Sequence, residues 1–198
     1  MKRVFDIITA VTMLILFSPV FGTIAALIRL KLGRPIFFRQ QRPGLHGAPF
    51  EMIKFRTMRD ALDRNGIPLP DDQRLTRFGR LLRSTSLDEL PELINIVRGE
   101  MSLVGPRPLL MQYMELYSPE QARRHEVRPG LTGWAQINGR NSLSWAEKFR
   151  LDVWYVDHRN FKLDLYILWM TLHRVLLMKD ISSPNEATMA PFTGKESE

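Results

Sequence analysis

Two adjacent carboxylates, Asp88 and Glu89, follow a run of basic residues and are the side chains best suited to chemistry on a charged group. Arginine recurs at every third position before them, at Arg77, Arg80 and Arg83. The pair is predicted to lie at the positive end of a helix dipole, which favours ionised carboxylates and also a phosphate or metal–phosphate group beside them. We therefore expect the chemistry of this protein to be located around this pair.

A helix with one buried face is predicted directly after the pair, because Pro91 is followed by apolar residues at helical spacing. Pro91 has no N–H and must lie in the first turn. We favour Asp88 as the N-cap, which puts Pro91 at the third helical position. With Ser86 as N-cap and Glu89 closing a capping box, Pro91 lies one residue too deep. In both cases the helix dipole favours ionised carboxylates at this end.

The pair alone does not establish a function, because acidic first turns are common as plain helix caps. Further cations occur elsewhere in the chain. Lys54 and Arg56 alternate onto one side of a predicted strand, an arrangement that is also typical of solvated surface. Arg107 lies between two prolines, which restrict its backbone and suit bidentate phosphate binding or a rigid turn.

The composition indicates one globular domain with an anionic partner. The chain has 198 residues, of which 44% are apolar and 25% charged. It contains no cysteine, which excludes disulfides, thiolate metal sites and a cysteine nucleophile and fits a reducing compartment. The formal charge of +7 suits nucleic acid, an acidic membrane surface or phosphorylated substrates, and does not choose among them.

The uncharged run from residue 7 to residue 28 predicts a membrane segment, since one helix of this length measures roughly 33 Å against a bilayer core of about 30 Å. A cleaved signal peptide fits less well, because the run is long and Pro19 interrupts it. Ser18 and Pro19 predict a bend at the midpoint. Basic residues flank both ends, and the positive-inside rule is satisfied best with both ends cytoplasmic. These residues leave a straight span and a re-entrant hairpin equally open.

The remaining patterns predict an α+β fold. Turn residues around Pro43 separate two alternating runs, which predicts a β-hairpin. The glycine-rich stretch 128–140 suits a loop whose backbone approaches a ligand, or simple packing. Residues 163–178 are apolar but short, which predicts a core helix or a helix at the membrane interface. Other helical patterns cover residues 75–84, 109–126 and 144–155.

The order of these motifs resembles the bacterial sugar transferases, the monotopic polyprenyl-phosphate phosphoglycosyl transferases, in a small, minimal form. The resemblance covers about residues 1–180 and leaves the tail outside it. Its motifs are Ser18-Pro19, Phe37-Phe38-Arg39-Gln40-Gln41-Arg42-Pro43-Gly44, Lys54-Phe55-Arg56-Thr57-Met58, Leu87-Asp88-Glu89-Leu90-Pro91-Glu92, Val104-Gly105-Pro106-Arg107-Pro108 and Arg128-Pro129-Gly130-Leu131-Thr132-Gly133.

The resemblance implies a fold, an activity and a place in the cell. The fold is a mostly helical α+β domain on the cytosolic side, anchored by a re-entrant helix broken at Ser18-Pro19. It divides into a membrane helix at residues 1–30, a catalytic domain with interfacial helices at residues 31–180 and a loose tail at residues 181–198. The activity is transfer of sugar-1-phosphate from a UDP-sugar to undecaprenyl phosphate with release of UMP, the first membrane step of glycoconjugate assembly. The location is the bacterial inner membrane, with the active site facing the cytoplasm.

The resemblance also assigns roles to residues. Asp88 is the nucleophile that forms a covalent phosphosugar intermediate, and Glu89, with Asp88, holds Mg²⁺. The residues that bind substrate phosphate are Lys54, Arg83 and Arg107, with Asp152 and Arg56 as further candidates. The expected partners are the UDP-sugar, undecaprenyl phosphate and membrane lipids, without nucleic acid, and a homo-oligomer is compatible with this list.

A non-catalytic protein is the competing hypothesis. A membrane-anchored nucleic-acid-binding module would explain the high isoelectric point, but the chain has no recognisable nucleic-acid-binding motif. A membrane scaffold would use the acidic pair only as a helix cap. Neither alternative requires the carboxylate of Asp88.

Overall fold

The computed structural model describes residues 1–63, 65–67, 69–139, 143–176 and 191–194. Its elements form an α+β arrangement in which helices predominate, as the sequence predicts. The helices are α1 Lys2–Leu16, α2 Ser18–Lys31, α3 Asp71–Arg74, α4 Arg77–Ser84, α5 Glu92–Arg98, α6 Pro119–Ala122, α7 Trp134–Ile137, α8 Trp145–His158 and α9 Phe161–Leu176. The strands are β1 Phe37–Pro43, β2 Pro49–Phe55, β3 Ser102–Val104 and β4 Gly130–Thr132.

The predicted membrane segment is a bent pair of helices. In the described part of the chain no single helix has the length and hydropathy to cross a membrane, whereas α1 and α2 together do, with a bend of 62° between them. The bend lies at the predicted place, because α2 begins at Ser18 with Pro19 in its first turn. The hydroxyl of Ser18 donates to the carbonyl of Ile15 at 2.8 Å and so satisfies a carbonyl at the end of α1.

The first turns of α1 bind the globular domain through polar side chains. Lys2 Nζ lies 2.6 Å from the carboxylate of Asp164 in α9. Asp6 is 2% exposed and accepts hydrogen bonds from Ser102 Oγ at 2.8 Å and from the Leu103 N–H at 3.3 Å. Arg3 donates to the carbonyl of Ile96 near the end of α5 at 2.5 Å. The start of the membrane segment is therefore fixed to α5, β3 and α9.

The end of α2 binds the same domain. Arg56, which follows β2, donates to the carbonyls of Leu32 and Arg34 just after α2. Ile24 and Ile28 of α2 pack in a hydrophobic cluster with Phe55. Both ends of the bent pair therefore contact one globular domain.

The predicted hairpin is confirmed. Strands β1 and β2 pair antiparallel in a register that sets Phe37 opposite Phe55 and Phe38 opposite Lys54. A second pair of strands, β3 and β4, is parallel. These strands show no alternation of apolar and polar residues in the sequence, because each has three residues and all but Leu131 are buried. Backbone packing explains the glycines of this region: a Cβ on Gly130 would lie 2.1 Å from the Gly105 nitrogen. Gly130 therefore allows two segments of this chain to meet.

The helical predictions have different outcomes. The helix predicted from residue 144 is α8, and the apolar stretch from residue 163 is α9. The helix predicted over residues 109–126 is wrong, because α6 starts at Ser118-Pro119 with its own capping box and only 3₁₀ turns flank it. In the predicted tail, residues 181–190 and 195–198 lie outside the described residues, and Phe192 is buried against Tyr113 and Phe149.

The contacts of Asp6 lead to a stability prediction. Replacing Asp6 by Ala leaves the Ser102 hydroxyl and the Leu103 N–H buried without their acceptor, a loss of about 1–3 kcal/mol in the free energy of unfolding. We expect the thermal midpoint in detergent to fall by about 2–4 °C for each kcal/mol. The control is Glu51→Ala, which removes an exposed ion pair with Arg39 and should cost less than about 1 kcal/mol. Equal effects of the two substitutions would contradict the structural role of Asp6.

Candidate active site

The acidic pair lies on a 3₁₀ turn, Leu87–Glu89, between α4 and α5. Helix α5 begins at Glu92 with Pro91 as its N-cap, so the expectation that Asp88 caps the helix is wrong. The N–H groups of Glu89 and Leu90 donate to the carbonyls of Ser86 and Leu87, three residues back. Pro91 has no N–H with which to continue this pattern, so the α-helix begins after it. The carboxylates therefore precede the helix, and nearby charges set their ionisation.

Glu89 collects two cations on one oxygen. Its Oε1 accepts from Lys54 Nζ at 2.7 Å and from an Arg107 nitrogen at 2.5 Å. Burial alone would raise the pKa of Glu89, but the positive charges of Arg107 and Lys54 outweigh it and hold the pKa well below the usual range. Glu89 is therefore ionised at neutral pH, and it positions both cations.

Asp88 has a different environment. It is 8% exposed, and burial, followed by the negative charge of Glu89, raises the pKa of its carboxyl to about 6. The positive charges of Lys54, Arg107 and Arg83 act in the opposite direction. At neutral pH the group is mostly ionised, yet more basic than an ordinary aspartate. A carboxylate of this kind can act as a nucleophile.

Glu92 is a member of the site that the sequence analysis did not assign. It is 1% exposed, and its Oε1 lies 3.0 Å from Lys54 Nζ. That contact is an ion pair whose alignment does not meet hydrogen-bond geometry. Burial, the largest cause, raises the pKa of Glu92 to about 7. The sequence signal for Glu92 was its position three residues after Glu89. The sequence analysis did not use it, because it placed the start of the helix at Asp88 instead of Glu92.

The cations keep their charge in this setting. Burial would lower the pKa of Lys54, but Glu89 and Glu92 outweigh it and raise the pKa. Glu89 likewise raises the pKa of Arg107. The third predicted cation, Arg83, donates from Nε to Thr57 Oγ1 at 3.1 Å, and its charge acts on Asp88. The structure thus brings Lys54, Arg83 and Arg107 together around the acidic pair.

Two other predicted residues lie apart from the pair. Arg56 contacts Asp60 and the carbonyls after α2, so it connects the end of the bent helix pair to the chain after β2. Asp152 forms a buried ion pair with Arg124 at 2.7 Å. Arg124 also donates to the backbone carbonyl of Arg107 at 2.8 Å. Asp152 therefore helps to hold the backbone of Arg107 through Arg124. The sequence analysis did not identify Arg124, which lies within the wrongly predicted helix.

The donor set of the acidic pair fits a hard cation of the magnesium type. Within the described residues no group of three or more His, Asp or Glu side chains is arranged to hold a metal. Mg²⁺ is commonly held by one or two carboxylates together with substrate phosphates, so a full protein cage is not required. The carboxylate oxygens of Asp88 and Glu89 are the candidate ligands, beside cations that suit the same phosphates.

Comparison with known proteins gives consistent matches along the chain. Residues 1–178 match the sequence model of a family described as bacterial sugar transferase. A Bacillus subtilis protein named uncharacterized sugar transferase EpsL is 56% identical over 98% of this chain and 96% of its own length. The exopolysaccharide production protein ExoY of Rhizobium meliloti is 40% identical, over 90% and 86%. A UDP-glucose:undecaprenyl-phosphate glucose-1-phosphate transferase of Caulobacter vibrioides is 42% identical, over 88% and 69%.

Glu92 leads to a prediction on pH and stability in the metal-free protein. The folded state binds the proton of Glu92 more tightly than the unfolded chain, because its pKa is raised from 4.5 to about 7. Ionisation therefore costs stability as the pH rises through this window, and glutamine avoids that cost. We expect Glu92→Gln to unfold like the wild type near pH 4.5 and to be more stable by about 1 kcal/mol or more at neutral pH.

Thermal unfolding across this pH range in the presence of EDTA tests the prediction. Glu51→Gln is the matched control, since it makes the same change at an exposed carboxylate and should leave the pH profile of the wild type unchanged. Parallel profiles for wild type and Glu92→Gln would show that Glu92 does not titrate abnormally.

Proposed function

This chain belongs to the bacterial sugar transferase family, and on that premise we propose that it transfers sugar-1-phosphate from a UDP-sugar to undecaprenyl phosphate and releases UMP. The observation that carries the proposal is the convergence of Lys54, Arg83 and Arg107 on Asp88, which is buried, and Glu89, which is partly buried. The name of the Caulobacter relative supports the two substrate classes.

The reaction has two balanced steps. A carboxylate oxygen of Asp88 attacks the sugar-bearing phosphorus of the donor, and the bond from that phosphorus to the bridging oxygen breaks. UMP leaves with the electron pair of that bond. A phosphate oxygen of the lipid then attacks the same phosphorus and displaces the Asp88 carboxylate, which regenerates the enzyme. A pKa of about 6 leaves Asp88 mostly ionised at neutral pH and makes its carboxylate more basic, and so a better nucleophile, than an ordinary aspartate.

The cations stabilise charge that develops on the transferred phosphoryl group. Lys54 and Arg107 are already oriented by Glu89, so little reorganisation is needed when the donor binds. Arg83 reaches the site from α4, and Arg124 fixes the backbone of Arg107. One basic pocket can in this way serve both anionic substrates in turn.

Magnesium is part of the proposal. Asp88 and Glu89 would hold the ion together with the donor phosphates, where it would offset negative charge on the diphosphate. The side chains of Lys54 and Arg107 would also offset negative charge on the diphosphate. Glu92 forms an ion pair with Lys54, as Glu89 does, and so reduces the net positive charge of the site.

We place the enzyme in the bacterial cytoplasmic membrane as a re-entrant, monotopic protein whose site faces the cytoplasm. The polar contacts of Arg3 at one end of the segment and of Arg56 at the other support this topology, since both reach one globular domain. A straight span would separate those contacts by a bilayer. Exposed Tyr166, Trp169 and Leu172 on α9 suit a helix at the membrane interface.

The first test is turnover by Asp88→Asn. Purified protein in detergent with Mg²⁺ is given a panel of UDP-sugars with and without undecaprenyl phosphate, and UMP is measured. We expect lipid-dependent UMP release by the wild type and a loss of roughly 10³-fold or more in the variant, because its amide is not a nucleophile. The wild type alone should exchange labelled UMP into the UDP-sugar without lipid.

Asp157→Asn is the control, since it changes an exposed aspartate that pairs only at the surface with Arg123, and it should retain turnover. Full activity in Asp88→Asn, or no UMP from any donor by a folded wild type, would refute the proposed reaction. The non-catalytic alternative predicts the second of these results.

The second test uses the natural absence of cysteine to map topology. Single cysteines are placed at Val4 before the bend and at Arg39 after it, both of which are exposed. A membrane-impermeant maleimide should label both sites in inside-out vesicles and neither in intact spheroplasts. Labelling of one site from each side would establish a straight span and contradict the re-entrant topology.

A further inference from the structure

A cavity of about 550 Å³ lies at the end of α2, away from the acidic pair. It is open to the surface and is lined by the end of α2, by Arg59 and by the chain that leads into α4. Lys31, which lines it, is the last residue of α2, and its neighbour Leu30 is 82% exposed. With α2 in the membrane as proposed, the cavity is at the boundary between acyl chains and headgroups.

The polar wall of the cavity is cationic. Lys31, Arg59, Arg77 and Arg80 come from three separate segments and are all exposed. Among the residues that the structure describes, none of the four forms an ion pair with a carboxylate, whereas Lys54, Arg107 and Arg124 each do. The carboxylates of the described residues therefore leave this positive charge without an ion-pair partner.

The remaining wall is apolar. Leu32, Leu75 and Phe78 line it, and Leu32 and Phe78 pack against the cluster that holds Ile24 and Ile28 of α2. Lys31 Nζ lies 5.1 Å from the centre of the Phe78 ring and covers that face of it. The lining thus combines cations with an apolar surface that continues into the membrane segment, which matches an amphipathic anion.

We propose that this cavity binds the phosphate headgroup of an anionic membrane phospholipid, with the start of its acyl chains along the apolar wall. Basic residues at a membrane boundary attract anionic headgroups. A nucleotide or a free phosphate shares the charge but has no acyl chain for the apolar wall. The site goes beyond the proposed reaction and needs only the membrane placement. Since Arg80 and Arg83 lie on the same helix, a bound lipid would also steady the helix that carries Arg83 to the active site.

The experiment measures ligand-dependent thermal stability of the full chain in neutral detergent micelles. Dihexanoyl-phosphatidylglycerol is titrated against dihexanoyl-phosphatidylcholine, with inorganic phosphate and UDP as separate arms. The test variant is Arg59→Gln with Arg77→Gln, which removes two cations of the cavity. The matched control is Arg98→Gln with Arg150→Gln, which removes two exposed arginines elsewhere. Lys31→Gln is a second test variant that does not depend on the first one folding.

We expect phosphatidylglycerol, and not phosphatidylcholine, to raise the thermal midpoint of the wild type. Half-saturation should need about 10-fold more lipid or more in the double variant, a few-fold more in Lys31→Gln and an unchanged amount in the control. Asp88→Asn should respond like the wild type even though its turnover is lost, which separates this proposal from the proposed reaction.

Four results would overturn the proposal. An equal response to phosphatidylcholine would show that headgroup charge is not recognised. An equal weakening in the control would assign the effect to diffuse surface charge. Competition by inorganic phosphate at the same concentration would make the cavity a general phosphate site. Stabilisation by UDP that the test variants abolish would assign it to the nucleotide.

Discussion

A single carboxylate oxygen, Oε1 of Glu89, holds the cations Lys54 and Arg107 in place, and the arrangement of the site depends on it. The three residues come from a 3₁₀ turn, a hairpin strand and a segment between two prolines. Lys54 and Glu89 are largely buried while Arg107 is partly exposed, so burial strengthens the Lys54–Glu89 pair most and makes an unpaired charge there costly. The opposite charges therefore hold each other in place. Asp88 lies beside them, where burial and the negative charge of Glu89 raise the pKa of its carboxyl to about 6.

The backbone around the site is fixed by other buried contacts. Asn95 in α5 accepts from the Ile53 N–H and donates to the Glu51 carbonyl, which ties the helix after the acidic pair to the strand that carries Lys54. On the other side, the Arg124–Asp152 pair holds the carbonyl of Arg107. Neither contact involves a reacting atom. Both limit how far Lys54 and Arg107 can move from Glu89.

The membrane segment is built into the same framework. Arg3 donates to carbonyls near the end of α5, and Lys2 joins Asp164 of α9, while Arg56 holds the carbonyls after α2. Because α5 follows the acidic pair and β2 leads into Arg56, the bent helix pair and the site are held by the same two elements.

The sequence by itself determined the features that depend on near neighbours in the chain. The bend at Ser18-Pro19 follows from a missing N–H, the hairpin from alternation around turn residues, and the family from motifs in a fixed order. Asp88, Glu89, Lys54, Arg83 and Arg107 were also named from residue type and motif, and the structure brings them together.

Only the tertiary structure decided what each charged residue contacts. Lys54 and Arg56 share an alternation, yet one reaches Glu89 and the other the end of the membrane segment. Asp152 pairs with Arg124 instead of lying at the acidic pair. Glu92 contacts Lys54 in the site, although the sequence analysis gave it no role. Ion pairing depends on distance in space and on burial, and local sequence patterns encode neither. The local sequence also does not show why residue 130 is a glycine. A side chain there would collide with the backbone of Gly105, which lies 25 positions away in the chain.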